Sequence, residues 1–150
     1  MFIALVDTVM LSTTALSNSD PLLLFIFLML FFNALVTFAF LVSCFFSRAK
    51  LAAIVAPIAL FATLMPRYIF FQNQEDEAIM GKTLACLMAP TAFTFAADRL
   101  AEFEGAGFGL SWNNLYVGQF SFGYCMFLLV VDFFLYGALA WYFDKVLPGI

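Results

Sequence analysis

The chain has no histidine, three cysteines, and only six Lys or Arg and ten Asp or Glu among 150 residues. Each shortage closes off a class of function. Without histidine, neither a Ser/His/Asp nor a Cys/His arrangement can be assembled, and the commonest protein ligand for metals is missing. Cys44, Cys86 and Cys125 show no C-x-x-C spacing and lie in or beside apolar stretches. They read as small buried apolar side chains rather than as a metal site or a disulfide framework. Charged residues make up 11% of the chain, against about a quarter in ordinary soluble domains. The formal net charge of −4 comes from a few acids between apolar runs and leaves no basic patch for nucleic acid. There is no internal repeat and no soluble domain. The start, Met1-Phe2-Ile3-Ala4-Leu5-Val6-Asp7, lacks the cationic region of a secretory signal peptide. The first helix reads as cut short and the chain as a piece of a longer protein.

One motif is a decoy. Gly81-Lys82-Thr83 matches the last three residues of the phosphate-binding pattern G-x-x-x-x-G-K-[ST], but the position of its first glycine is Asp76. A carboxylate there repels phosphates, and no strand precedes it. The chain is expected to bind no nucleotide, cofactor or metal by itself.

What is present in quantity is apolar surface. Hydrophobic residues make up 65% of the chain, with 22 phenylalanines in uninterrupted runs. Such runs, without the alternation of a barrel, define an all-α, polytopic membrane protein whose helices satisfy their own backbone groups in lipid. The run from Phe2 to Leu16 is too short to span a hydrocarbon core of about 30 Å alone. Ser17–Pro21 reads as a turn with Asp20 or Ser19 as cap, opening a helix from Leu22 to about Phe46. A third helix is expected from Leu51 to about Phe71, kinked at Pro57, followed by the acidic loop Gln72–Glu77. From Thr83 to Ala97 the apolar run is short and is expected to break at Pro90, so it dips into the membrane rather than crossing. Asp98–Glu104 continues helically to a flexible glycine turn at Gly105–Gly109. These segments read as a re-entrant hairpin over about residues 78–110. Ser111–Tyr116 supplies interfacial aromatics, among them Trp112, and the last helix runs from about Ser121 to Phe143. The expected count is therefore about four transmembrane helices plus the hairpin.

Orientation follows from charge. Arg48 and Lys50 form a compact cationic break between apolar runs, and cations collect on the cytosolic side. With a re-entrant Pro90 segment, Lys145 joins them there. Glu102 and Glu104 read as a solvated outer face. Asp132 sits at the centre of the last helix, where an ionised carboxylate costs several kcal/mol and must be protonated, paired or hydrated. Asn33 lies at similar depth in its own helix, and the two can meet across a helix interface. Whether they are polar glue or part of a translocation path stays open, and Asp7 has the same status.

The order of landmarks resembles the membrane domain of subfamily A of the ATP-binding-cassette (ABC) transporters. It is carried by Asn18-Ser19-Asp20-Pro21, Phe45-Phe46-Ser47-Arg48-Ala49-Lys50-Leu51-Ala52, Met88-Ala89-Pro90-Thr91-Ala92-Phe93 and Glu102-Phe103-Glu104. Leu110-Ser111-Trp112-Asn113-Asn114-Leu115, Asp132-Phe133-Phe134-Leu135-Tyr136 and Trp141–Pro148 follow in the family's order and spacing, the last closest to plant or protist members. The resemblance implies the third to sixth helices of a transmembrane domain, with an outer-face hairpin marked by Pro90, Glu102, Glu104 and Trp112. It implies membrane lipids as substrates, and as partners the other transmembrane half and a cytosolic ATPase domain using ATP and Mg. Arg48 and Lys50 would face that domain. The rival expectation is a small stand-alone membrane assembly or scaffold protein.

Overall fold

A computed structural model describes residues 1–14, 16–46, 48–71, 79–118 and 120–146, with backbone alone at 49 and 69–71. The acidic loop and the segment after Val146 lie outside the described residues. Within them the regular structure is helical: α1 (Phe2–Thr14), α2 (Pro21–Ser43), α3 (Ala49–Ala62), α4 (Met65–Phe71), α5 (Ile79–Ala85), α6 (Ala89–Gly105) and α7 (Phe122–Val146). Three stretches are long and apolar enough to cross a bilayer: Pro21–Ser43, Lys50–Tyr68 and Phe122–Val146. Helix α1, of 13 residues, is shorter than that.

Two boundaries differ from expectation, both at prolines. Helix α3 runs on through Pro57 and stops at Ala62, and the chain restarts as α4 with Pro66 in its first turn. The hairpin breaks at Cys86–Met88 rather than at Pro90, which sits in the first turn of α6. A first-turn N–H has no partner within its helix, so proline costs least there. At the start of α2, Asp20 holds the cap position with an extended backbone but makes no side-chain capping bond.

Helices α2 and α7 run side by side in the same direction. Phe27 meets Phe122 near their starts (ring centroids 4.9 Å apart), Phe38 meets Tyr136 further along (5.5 Å), and Phe45 meets Phe143 at the far end (4.9 Å). Helix α6 packs against this pair through Ala89, Ala92 and Ala96, all fully buried. Small side chains let backbones approach closely, which is how helices gain dispersion contact where lipid supplies no hydrophobic drive. Phe93 of α6 stacks on Phe31 (4.1 Å) and Phe27 (5.1 Å) of α2. Helix α3 presents no buried side chain among those described, and Ile54, Ile58 and Phe61 stand exposed.

Candidate functional site

The hairpin made by α5 and α6 is placed by polar contacts at successive depths along α7. Near the start of α7, the Thr83 and Tyr124 hydroxyls lie 3.3 Å apart. The bend lies beside Tyr136, twelve residues or about 18 Å further along at helical rise. There the Tyr136 hydroxyl donates to the Leu87 carbonyl (2.6 Å) and accepts from the Ala89 N–H (3.0 Å). Helix α6 then climbs back: the Arg99 Nε–H donates to the Phe120 carbonyl (3.0 Å), and Glu104 arrives beside the turn before α2. Both arms therefore end at the end of the bundle where α2 and α7 begin.

Each interruption in a helix frees backbone groups that lipid cannot satisfy. The break at Leu87–Ala89 is satisfied by Tyr136. The break after Thr63 is satisfied by the fully buried Thr91 hydroxyl of α6, which donates to the Thr63 carbonyl. Between α4 and α6 the Arg67 guanidinium forks onto Asp98, with Nε to Oδ2 at 3.1 Å and Nη2 to Oδ1 at 2.6 Å. This bidentate geometry is the strong form of an ion pair.

At the end where α2 starts, the Glu104 carboxylate accepts from the Asn18 N–H (2.9 Å) and the Ser19 hydroxyl (2.6 Å). The Ser19 oxygen also accepts from the Leu110 N–H (2.9 Å), and the Leu110 carbonyl accepts from the Asp20 N–H (2.9 Å). Four bonds thus knot the end of the hairpin to the head of α2. Gly109 completes the knot with φ +65°, its Cα facing the Asn18 carbonyl so closely that a Cβ would lie 1.9 Å from the oxygen. Glu104, expected on a solvated outer face, is half-buried and also satisfies the hydroxyl of the buried Ser19. Glu102 is exposed and pairs with Arg99 at 2.8 Å.

Asp132 is fully buried in α7, and neither carboxylate oxygen has a hydrogen-bond partner among the described residues. Asn33 is not brought to it: that side chain is exposed and its Nδ2 donates to the Met29 carbonyl one turn back, at 2.8 Å. A free amide facing away from its partner helix bonds the nearest spare carbonyl, its own. Asp7 is half-buried in α1. Arg48 and Lys50, at the start of α3, and Lys145, in the last turn of α7, are exposed. They lie at the end of the bundle opposite Glu104, where Cys44 reaches the Ala140 carbonyl (Sγ to O 3.5 Å). Trp112 stands 52% exposed after the hairpin, and Phe108 and Tyr116 are exposed as well.

Sequence reasoning missed Tyr136, Thr91 and the Arg67–Asp98 pair, and took Ser19 only as a candidate helix cap. A signal existed for the first two, since hydroxyls inside otherwise apolar runs need an acceptor wherever lipid replaces water.

Long apolar helices around a broken hairpin define a helical membrane protein. No family model matches the chain, but curated relatives do. It is 38% identical over 139 residues to the human protein named Retinal-specific phospholipid-transporting ATPase ABCA4, covering 89% of this chain and 6% of that one. To the mouse protein named Phospholipid-transporting ATPase ABCA3 it is 35% identical over 139 residues, 89% of this chain and 8% of the relative. To mouse ATP-binding cassette sub-family A member 7 it is 38% identical over 138 residues, 89% and 6% respectively. The chain belongs to subfamily A of the ABC transporters, and it spans 6% to 8% of the length of these relatives.

Proposed function

We propose that the chain is a multi-pass, membrane-spanning part of an ATP-driven lipid transporter, the third to sixth helices of one transmembrane domain. The observation that carries this is its similarity, over 89% of its length, to a protein named as a phospholipid-transporting ATPase. In this reading the hairpin enters from the outer face and returns to it. Arg48, Lys50 and Lys145 face the cytosol and an ATPase domain supplied elsewhere, in keeping with the bias of cations toward that side. The unburied apolar faces of α3 and α1 meet lipid or the other transmembrane half, and amphipathic lipids move along this apolar wall. ATP hydrolysis at the cytosolic ends alters the packing of α2, α6 and α7, and the hairpin carries that change to the outer leaflet. The scarcity of intramembrane charge suits a lipid path better than an ion path.

The test is reconstitution of the full-length product in proteoliposomes with fluorescent phosphatidylcholine and phosphatidylethanolamine. ATP with Mg is expected to drive their movement between leaflets above the passive rate. ATP hydrolysis without lipid movement would overturn the reading.

A further inference from the structure

Asp132 is the one buried side chain among the described residues whose polar atoms have no partner. All six cations of the chain lie within the described residues, and none bonds this carboxyl. Arg67 is held by Asp98 and Arg99 by Glu102 and the Phe120 carbonyl. Arg48, Lys50 and Lys145 lie at the far end, and Lys82 is half-buried on α5 without an ion pair to it. Among the described residues, the titratable groups that face Asp132 are the Cys86 thiol at the bend and Tyr136 one turn along α7, with the Cys125 thiol beyond Cys86. Helix α2 carries no titratable side chain, and the acids of α6 other than those already paired are absent. Full burial within this chain also closes the site to a counter-ion from elsewhere while the hairpin is seated. A buried, unpaired carboxylate is too costly to persist in an apolar setting, whereas a neutral carboxylic acid is not.

We propose that Asp132 is a proton-binding site on which seating of the α5–α6 bend depends. In the arrangement seen, Asp132 is a neutral acid. When the bend lifts and water enters, the O–H bond breaks, the proton passes to water, and the electron pair stays on the carboxylate oxygen, now hydrated. The seated form holds one more proton than the lifted form, so rising pH favours lifting and falling pH favours seating.

The experiment uses the full chain in lipid nanodiscs, with infrared spectra and backbone hydrogen exchange followed from mildly acidic to alkaline pH. A protonated-carboxyl stretching band is expected at neutral pH and lost in Asp132→Asn. Exchange protection of the amides from Leu87 to Ala92, corrected for intrinsic exchange, is expected to fall about tenfold per pH unit once the proton is released, and to stay level in Asp132→Asn. Absence of the band, or the same protection profile in both proteins, overturns the proposal. If Asp132→Asn does not assemble, Asp132→Thr replaces it. Failure of both neutral variants to fold also overturns it, because a seat that requires a neutral group accepts one.

Discussion

Gly109→Ala is expected to detach the hairpin from the head of α2 and to cost about 3 kcal/mol or more, the upper end of what most single substitutions cost. Two effects add. A residue with a Cβ pays about 1–2 kcal/mol for the left-handed backbone that Gly109 holds at φ +65°. The larger effect is overlap: the new methyl carbon would fall 1.9 Å from the Asn18 oxygen and 2.3 Å from its carbonyl carbon. Both are backbone atoms at the head of α2, so no rotamer relieves the clash. Moving Asn18 aside breaks the bonds that Glu104 receives from Asn18 and Ser19. Gly107→Ala is the control, since its φ of +77° is similarly left-handed but its Cβ would meet nothing within 4 Å. Thermal unfolding in detergent should therefore rank native above Gly107→Ala above Gly109→Ala. Equal losses in the two variants would mean that the close approach to Asn18 carries no weight.

Tyr136→Phe is expected to loosen the bend while leaving the α2–α7 pair in place. The ring's edge contact with Phe38 survives the change, so packing is nearly conserved. What is lost is the hydroxyl that serves both the Leu87 carbonyl and the Ala89 N–H. A buried polar group left unsatisfied costs about 1–3 kcal/mol, and interhelical hydrogen bonds in membranes measure near the lower part of that range. The expected loss is about 1–3 kcal/mol, felt at the bend. Hydrogen exchange should show Ala89 and its neighbours losing protection by about tenfold or more while amides of α2 keep theirs. Uniform loss along both helices would point to packing instead.

The helical membrane class was legible in composition, because apolar runs without alternation leave few other solutions. The spans of α2 and α7 were legible for the same reason. Helix ends near proline were less so: Pro57, Pro66 and Pro90 look alike in sequence, yet one sits inside a helix and two in first turns. What decides between them is whether another element can satisfy the carbonyls that a break would free. Thr91 and Tyr136, 28 and 49 residues away from their acceptors, do so here, and no local pattern encodes that. Glu104 was read as a solvated acid because its neighbours are polar, while its partners lie 85 and 86 residues earlier. Asp132 was recognisable as costly from its depth alone. Its lack of a partner was not, since Asn33 was available at similar depth and turned to its own helix.

Transmission to the outer leaflet requires a hairpin whose two arms open to one side of the membrane. Single cysteines at Met80, on the exposed face of α5, at the exposed Asn113 beyond α6 and at the exposed Asp144 near the end of α7 place all three points. They are made in a Cys44→Ser background, with Cys86 and Cys125 buried, in sealed vesicles of known sidedness. A membrane-impermeant maleimide is expected to label Met80→Cys and Asn113→Cys from the outer side, and Asp144→Cys only after permeabilisation. Labelling of Met80→Cys and Asn113→Cys from opposite sides would make α5 and α6 a crossing segment and contradict the account.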